Sequence, residues 1–250
     1  AALKGNMCAY DEAVVTRMKQ AGFILLGKTA TSELGSFPYT ETPGFAPTRN
    51  PWNLDYTAGG SSGGAAAAIA AGFCPVAQGS DGGGSVRGPA SCCGLVGIKP
   101  SRGRISFAPV GDYQSGIAVI GPLARTVRDA AALLDVLSGY TTGDPYWLPD
   151  PEISFLESVN QSLPSLKIAF AYSVPPFSDA DAVCQEGVNT TVKRLESLGH
   201  RVEPACFDAQ DLIEPFTKIW QSGVMAAGIP LEILSPVNRC LLYTSDAADE

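Results

Sequence analysis

Residues 59–94 read GGSSGGAAAAIAAGFCPVAQGSDGGGSVRGPASCCG and contain two glycine-rich loops that each carry serine. The first loop, Gly59–Gly64, precedes the small-residue segment Ala65–Ala71, which predicts a helix. Pro75–Gln78 predicts a short strand, and the second loop, Gly79–Arg87, follows that strand directly. The sequence therefore predicts two serine-bearing turns that are joined by one helix and one strand, as in an α/β layer structure.

Each loop alone has a simple structural explanation. The first loop could be a flexible linker or an anion site at a helix N-terminus. In the second loop, the glycines before Ser85 can point several backbone N–H groups at one spot, as an oxyanion hole requires, but for this motif alone a tight structural turn is the favoured explanation. With Ser61 and Ser85 24 positions apart, the two loops together are far more specific than either one.

The sequence after the second loop extends the pattern. Residues 88–104 read GPASCCGLVGIKPSRGR. Together with the two loops, this block resembles the amidase signature family, whose enzymes use a Ser–cis-Ser–Lys triad. The resemblance covers residues 1–239 and is strongest over Gly27–Ser106. It implies an α/β fold with a mixed β-sheet core flanked by helices, incomplete here, and hydrolysis of a linear or cyclic carboxylic amide through a serine acyl-enzyme.

The resemblance also implies roles for individual residues. Ser85 corresponds to the nucleophile, and Ser61 corresponds to the bridging serine, which a cis peptide bond joins to Gly60. The backbone amides expected around the oxyanion are those of Gly82, Gly83, Gly84 and Ser85. The expected supporting residues are Ser62, as a hydrogen-bond donor, and Asp81 and Arg87, as braces of the second loop.

The general base of the triad is not among the residues of this sequence. In the family, the lysine lies roughly 75 residues before the bridging serine, which places it about 14 residues before Ala1. Lys4, Lys19 and Lys28 do not sit in the family's lysine motif. We therefore expect a fragment of an active amidase that is itself inactive or nearly so. The resemblance implies that the enzyme needs no metal and no organic cofactor, and that its binding partner is a small-molecule amide substrate.

Several departures from the common family pattern indicate a subgroup. Gly82 stands where threonine is common, Ser101-Arg102 replaces Thr-Tyr, and Cys92-Cys93 follows Pro89–Ser91. With the sequence at Gly143–Trp147, these features resemble the 6-aminohexanoate-cyclic-dimer hydrolase type and related bacterial amidases. Two alternatives stay open at this point, the glutaminase subunit of a tRNA-dependent amidotransferase and a non-catalytic relative.

A third motif matches the sequence pattern of a nucleotide-binding site. Gly22–Thr29 matches the phosphate-loop pattern GxxxxGK[ST], but its middle positions are Phe, Ile, Leu and Leu. Those residues, Phe23–Leu26, predict a buried strand, and the periodicity of Asp11–Gly22 predicts a helix before it. The pattern therefore argues against a phosphate-binding loop, and Lys28 is interpreted as structural.

Composition narrows the class of partner. The formal charge is −8 with no basic run, which argues against nucleic acid or an anionic membrane. The seven cysteines lack metal-ligand spacing and predict reduced, mostly buried thiols, and the default location is the cytoplasm. The single histidine, His200, lies at a predicted helix-to-strand turn, where a turn role is favoured over catalysis. The oligomeric state stays open.

The remaining elements continue the alternation of helices and strands. Residues 35–60 predict a long ordered loop. After the serine loops, the sequence predicts helices over Thr126–Ser138 and Asp181–Leu198. It predicts one strand over Leu166–Phe170 and another that begins at Arg201.

The C-terminal segment Cys240–Glu250 reads CLLYTSDAADE and lacks helix or strand periodicity. It resembles the translation of a transposon-end sequencing adapter. We therefore predict a partial amidase-signature domain over residues 1–239 and a non-native tail over residues 240–250.

Overall fold

A computed structural model describes residues 8–112, 114–226 and 228–246, in two compact units. One unit comprises the residues up to Asn160 together with those from Trp220 onward, and the other is Gln161–Ile219. The α-helices in the described residues are α1 (Ala13–Gln20), α2 (Gly63–Ala70), α3 (Arg87–Cys93), α4 (Val127–Leu137), α5 (Phe155–Ser158), α6 (Ala182–Ser197), α7 (Gln210–Ala226) and α8 (Pro236–Asp246). The strands are β1 (Arg49–Asn50), β2 (Asn53–Thr57), β3 (Val76–Asp81), β4 (Val96–Gly97), β5 (Val119–Ala124), β6 (Lys167–Phe170) and β7 (Arg201–Pro204).

A three-stranded antiparallel sheet, in the order β3-β5-β4, forms the centre of the first unit. Every residue of β5 is buried. Because side chains alternate along a strand, Ile120 and Leu123 point to opposite faces. Ile120 packs with α1 and α4 side chains in one apolar cluster, whereas Leu123 packs with α2 and α3 side chains in another. The sheet is therefore covered by helices on both faces.

The sheet carries the second serine loop at the end of β3. This strand ends at Asp81, which pairs with Val119 of β5, and α3 begins at Arg87. The chain turns sharply over the residues between them. The first serine loop leads into α2, whose residues Ala65 and Ala66 are buried against the same apolar cluster as α3. Both loops are thus anchored to buried helices.

The second unit contains a parallel pair of strands, β6 and β7, connected through α6. The predicted inward face of α6 is confirmed, because Val188, Val192 and Leu195 line a groove together with Ile168 and Val202 of the two strands. His200 accepts a hydrogen bond at Nδ1 from the Leu166 amide at 3.2 Å, which fits the predicted turn role.

Two secondary-structure predictions in the N-terminal part are wrong. Phe23–Leu26 is not a strand, and Ile24 and Leu26 are 87% and 74% exposed. An apolar run needs a partner strand to become buried, and periodicity does not reveal whether one is available. The segment 35–60, predicted as loop, contains the antiparallel hairpin of β1 and β2.

Gly22 occupies the end of α1 rather than the start of a phosphate loop. Its N–H donates to Lys19 O at 3.0 Å, and its φ of 85° suits a helix C-terminus. Lys28 is exposed. A phosphate loop needs a helix N-terminus at this point, and the described chain has a helix C-terminus there instead.

The C-terminal segment and the cysteines also differ from expectation. The helix α8 continues to Asp246, so the expected lack of regular structure is wrong for residues 240–246, while residues 247–250 lie outside the described part. The non-native origin of this segment stays a prediction. The cysteines are free, but only Cys93 is buried and Cys74 is intermediate; the exposed ones are Cys8, Cys92, Cys184, Cys206 and Cys240. Among the described residues, none of the helices is both long and apolar enough to cross a membrane.

Candidate active site

The first serine loop is held by Thr40, which lies in the segment before the hairpin. Thr40 is 1% exposed, and its hydroxyl donates to Gly59 O at 2.9 Å and accepts from Gly63 N at 3.2 Å. The carbonyl of Ser61 accepts a further bond from Ser32 N at 3.2 Å. The Gly60–Ser61 peptide bond is cis, as the resemblance implies. These contacts fix the backbone on both sides of Ser61.

Glycine is required in this loop because other backbone segments approach it closely. A Cβ atom at Gly60 would lie 2.4 Å from Tyr39 N, and one at Gly64 would lie 2.4 Å from Ala30 O. Distances this short are not tolerated between a carbon atom and backbone. The residues around 30–40 therefore lie against the loop, and they leave Ser61 only 3% exposed.

The second serine loop is organised by the carboxylate of Asp81, which is fully buried. Its Oδ1 accepts from Gly84 N at 2.8 Å and its Oδ2 accepts from Val86 N at 3.1 Å. The Arg87 guanidinium donates to both oxygens, from Nε at 3.0 Å and from Nη2 at 2.9 Å. The bidentate ion pair and the backbone bonds together wrap the loop around one carboxylate.

These contacts set the ionisation of Asp81. Burial alone would raise its pKa, but hydrogen bonds from Arg87 and Val86 and the charge of the guanidinium outweigh the burial. The pKa of Asp81 therefore lies below the ordinary value for aspartate. Asp81 remains an anion at neutral pH, which is the state that its donors require. The placement supports the predicted bracing role of Asp81 and Arg87.

Ser62 connects the two loops. Its N–H donates to Ser85 O at 3.2 Å, and its hydroxyl accepts from Ser80 N at 3.2 Å and donates to Ser80 O at 3.3 Å. Gly79 makes room for this contact, because a Cβ there would lie 2.7 Å from Ser62 Oγ. Ser62 thus acts as acceptor as well as donor, and it brings the loops of Ser61 and Ser85 together.

The backbone amides of the second loop fall into two groups. Gly84 N–H is committed to Asp81 Oδ1, so Gly84 is not an oxyanion donor in this structure, contrary to the sequence expectation. The turn required by the Asp81 carboxylate causes this, and Gly84 has a φ of 124°. Within the described residues, the amides of Gly82, Gly83 and Ser85 have no hydrogen-bond acceptor. Three free amides at Ser85, a residue that is 8% exposed, can stabilise a developing negative charge.

Sequence reasoning missed the residues outside the loops that hold them in place. Thr40 lacks any motif, and only its neighbours in space reveal its role. The hairpin side chains Asn50 and Trp52 donate to the carbonyl oxygens of Cys92 and Cys93 at 2.7 and 2.8 Å, and so they cap the C-terminal end of α3. The available signal is the density of prolines, glycines and aromatic residues in the segment 35–60, which predicts an ordered loop but not its contacts.

Within the described residues, the structure shows no hydrogen bond between a lysine and Ser61. Lys19 pairs with Asp11, and Lys99 Nζ donates to Pro100 O at 2.8 Å. Lys28 is exposed, and Lys4 lies outside the described residues. The two serine loops are therefore present with their supports, while a lysine partner for Ser61 is not identified in the described chain.

Comparison with known proteins identifies the family of this chain. A model of the Amidase family matches residues 1–229. A Synechocystis sp. protein named "Putative amidase" is 61% identical over 249 residues, covering 100% of this chain and 49% of that protein. The 6-aminohexanoate-cyclic-dimer hydrolase of Paenarthrobacter ureafaciens is 44% identical over 205 residues, which are 80% of this chain and 42% of the relative.

A solved structure of 6-aminohexanoate cyclic dimer hydrolase superposes with a TM-score of 0.89 at 36% identity, over 96% of this chain and 53% of that chain. The fold is therefore one that amide-hydrolysing proteins share. The chain belongs to the amidase signature family. It spans about half the length of the relatives that it matches.

Proposed function

We propose that the full-length protein to which these residues belong hydrolyses a carboxylic amide through an acyl-enzyme on Ser85. One observation carries the proposal: Ser62 ties the two serine loops together beside three backbone amides that are free within the described chain. A serine hydroxyl needs an activating base at neutral pH. The family resemblance supplies that base as a lysine that acts on Ser61.

The proposed reaction begins with proton transfer from Ser85 to Ser61 and from Ser61 to the lysine. Ser85 Oγ attacks the amide carbon, and the amides of Gly82, Gly83 and Ser85 stabilise the tetrahedral oxyanion. Ser61 then returns a proton to the leaving amine as the carbon–nitrogen bond breaks. Water hydrolyses the acyl-enzyme and regenerates Ser85. The residues of this chain need no cofactor for any of these steps.

The proposed substrates are linear or cyclic amides. The name of the Paenarthrobacter relative describes a cyclic amide dimer, and that relative is 44% identical to this chain. We propose the same broad chemical class here, without assigning that compound as the substrate. The chain by itself is proposed to be inactive or nearly so, because no lysine partner for Ser61 is identified among the described residues.

The test compares the full-length enzyme with residues 1–239 on a panel of amides. We expect the full-length enzyme to hydrolyse amides and its Ser85→Ala variant to lose about 10⁴-fold or more in kcat. Residues 1–239 should release no amine above background. Robust turnover by residues 1–239 that Ser85→Ala blocks would contradict the proposed inactivity. Hydrolysis of glutamine alone, dependent on a co-purified partner, would instead identify an amidotransferase subunit.

A further inference from the structure

A short turn next to the second serine loop has an unusual backbone. Gln114 and Ser115 in the 3₁₀ turn Gln114–Gly116 have φ values of 53° and 52°, in the left-handed region. Residues with a Cβ rarely adopt this conformation, and so contacts with the surroundings must hold the turn. The turn therefore fixes the direction in which the Gln114 side chain leaves the backbone.

One side of the turn rests on an aromatic stack. The Arg102 guanidinium carbon lies 5.0 Å from the centroid of the Tyr146 ring. A Cβ at Gly116 would lie 2.8 Å from Tyr146 Cε2 and 3.0 Å from Arg102 Cδ, so this stack presses against Gly116. The Gly116 amide also donates to Asp112 Oδ1 at 2.8 Å. Arg102 and Tyr146 are among the residues that set this sequence apart from the common family pattern.

The other side of the turn carries the Gln114 side chain across two glycines. A Cβ at Gly223 of α7 would lie 2.6 Å from Gln114 Cγ, so the side chain crosses α7 at that point. A Cβ at Gly82 would lie 2.8 Å from Gln114 Oε1 and 3.1 Å from Trp220 Cζ3. The carboxamide therefore ends over Gly82 of the second serine loop, beside the indole ring of Trp220.

This packing explains why position 82 is glycine rather than the common threonine. The space that a threonine side chain would need is occupied by the Gln114 carboxamide and the Trp220 ring. A carboxamide offers one acceptor and two donors at fixed positions, which match the N–H and C=O of another amide. The indole ring offers an apolar wall next to it.

We propose that Gln114 is a specificity-determining residue that hydrogen-bonds a second amide of the substrate, close to the carbonyl that Ser85 attacks. The inference rests on the proposed function and deepens it. Substrates with two nearby amides would satisfy the carboxamide, whereas an alkyl chain in the same place would leave it unpaired. A site with a committed hydrogen-bonding group discriminates strongly against analogues that lack the partner.

The test uses two 4-nitroanilides with acyl chains of equal length, N-acetylglycine and pentanoic acid. Full-length wild type should favour the N-acetylglycine anilide. Gln114→Met, which keeps the side-chain length, should lower kcat/KM for that substrate by about 10-fold, mostly through KM, and change the pentanoyl anilide less than about twofold. Gln210→Met places the same substitution on an exposed glutamine of α7 and should change neither substrate.

The outcomes separate the inference from the proposed function. Equal losses on both anilides, or a fall in Tm without a change in preference, would overturn the role of Gln114 while leaving amide hydrolysis intact. If wild type hydrolysed neither anilide nor any other amide, the proposed function would fail and the inference with it. If Gln114→Met did not fold, Gln114→Glu, which keeps the shape and removes the donors, should show the same selective loss.

Discussion

Replacing Asp81 with asparagine removes the charge around which the second serine loop is wrapped. The carboxylate accepts five hydrogen bonds, from the Gly84, Val86 and Arg87 amides and from two atoms of the Arg87 guanidinium. Asparagine keeps one oxygen and turns the other position into a donor that faces donors. Two or three charge-assisted bonds are lost at a fully buried site, while the half-exposed Arg87 is partly compensated by water. We expect the free energy of unfolding to fall by about 3–5 kcal/mol.

Urea denaturation of the full-length enzyme, followed by tryptophan fluorescence, measures this loss at pH 7. The pKa of Asp81 is lowered in the folded state, so its contribution is present above the unfolded aspartate pKa of about 4 and is lost as pH falls through the lower folded value. The difference between wild type and Asp81→Asn should therefore shrink below about pH 4. Asp55→Asn, at an exposed position, is the control and should stay within about 0.5 kcal/mol. Equal urea midpoints for Asp81→Asn and wild type at pH 7 would refute the bracing role.

Three further predictions concern the backbone packing at Gly60, the hydroxyl of Thr40 and the burial of Cys93. Gly60→Ala should lower the free energy of unfolding, measured by urea denaturation, by about 3 kcal/mol or more, because its Cβ would lie 2.4 Å from backbone. The control Gly187→Ala, at an open helical position, should raise the free energy of unfolding by about 0.5–1 kcal/mol. An unchanged stability of Gly60→Ala would contradict the packing. Thr40→Val should lower the free energy of unfolding by about 1–3 kcal/mol and should also lower kcat, because it removes the hydroxyl that bonds Gly59 and Gly63. Thr40→Ser keeps the hydroxyl and should behave like wild type. Equal effects of the two variants would argue against a role for the hydroxyl. Burial and the neighbouring Cys92 raise the pKa of the Cys93 thiol to about 11. Iodoacetamide at pH 8 should therefore alkylate the exposed Cys92 and leave Cys93 unmodified in peptide mapping. Prompt labelling of native Cys93 would contradict its burial.

The sequence was informative where chemistry and backbone conformation impose the same residues. Glycine and serine at residues 59–64 and 79–85 identified both loops. In the structure Asp81 and Arg87 form an ion pair within the second loop, and their bracing role stays a prediction. The helices α2, α4 and α6 were predictable from small-residue content or from apolar periodicity, because both signals are local to the helix.

What the sequence did not reveal depends on contacts between distant segments. Thr40 supports the first loop although it lies 19 residues before Gly59 in the sequence, and no sequence motif marks it. In the sequence the amide of Gly84 is equivalent to its neighbours, and only the structure shows that it donates to the Asp81 carboxylate. The Phe23–Leu26 run failed as a strand for the same reason, because burial depends on a partner that local sequence does not specify.

The most direct test of the account is covalent labelling of the full-length enzyme with a fluorophosphonate, followed by peptide mass spectrometry. A fluorophosphonate captures an activated serine, so we predict a single adduct on Ser85, loss of that adduct in Ser61→Ala, and loss of amide hydrolysis in proportion to labelling. An adduct on another residue with Ser85 unmodified, or full amide hydrolysis by Ser85→Ala, would contradict the assignment of Ser85 as the nucleophile.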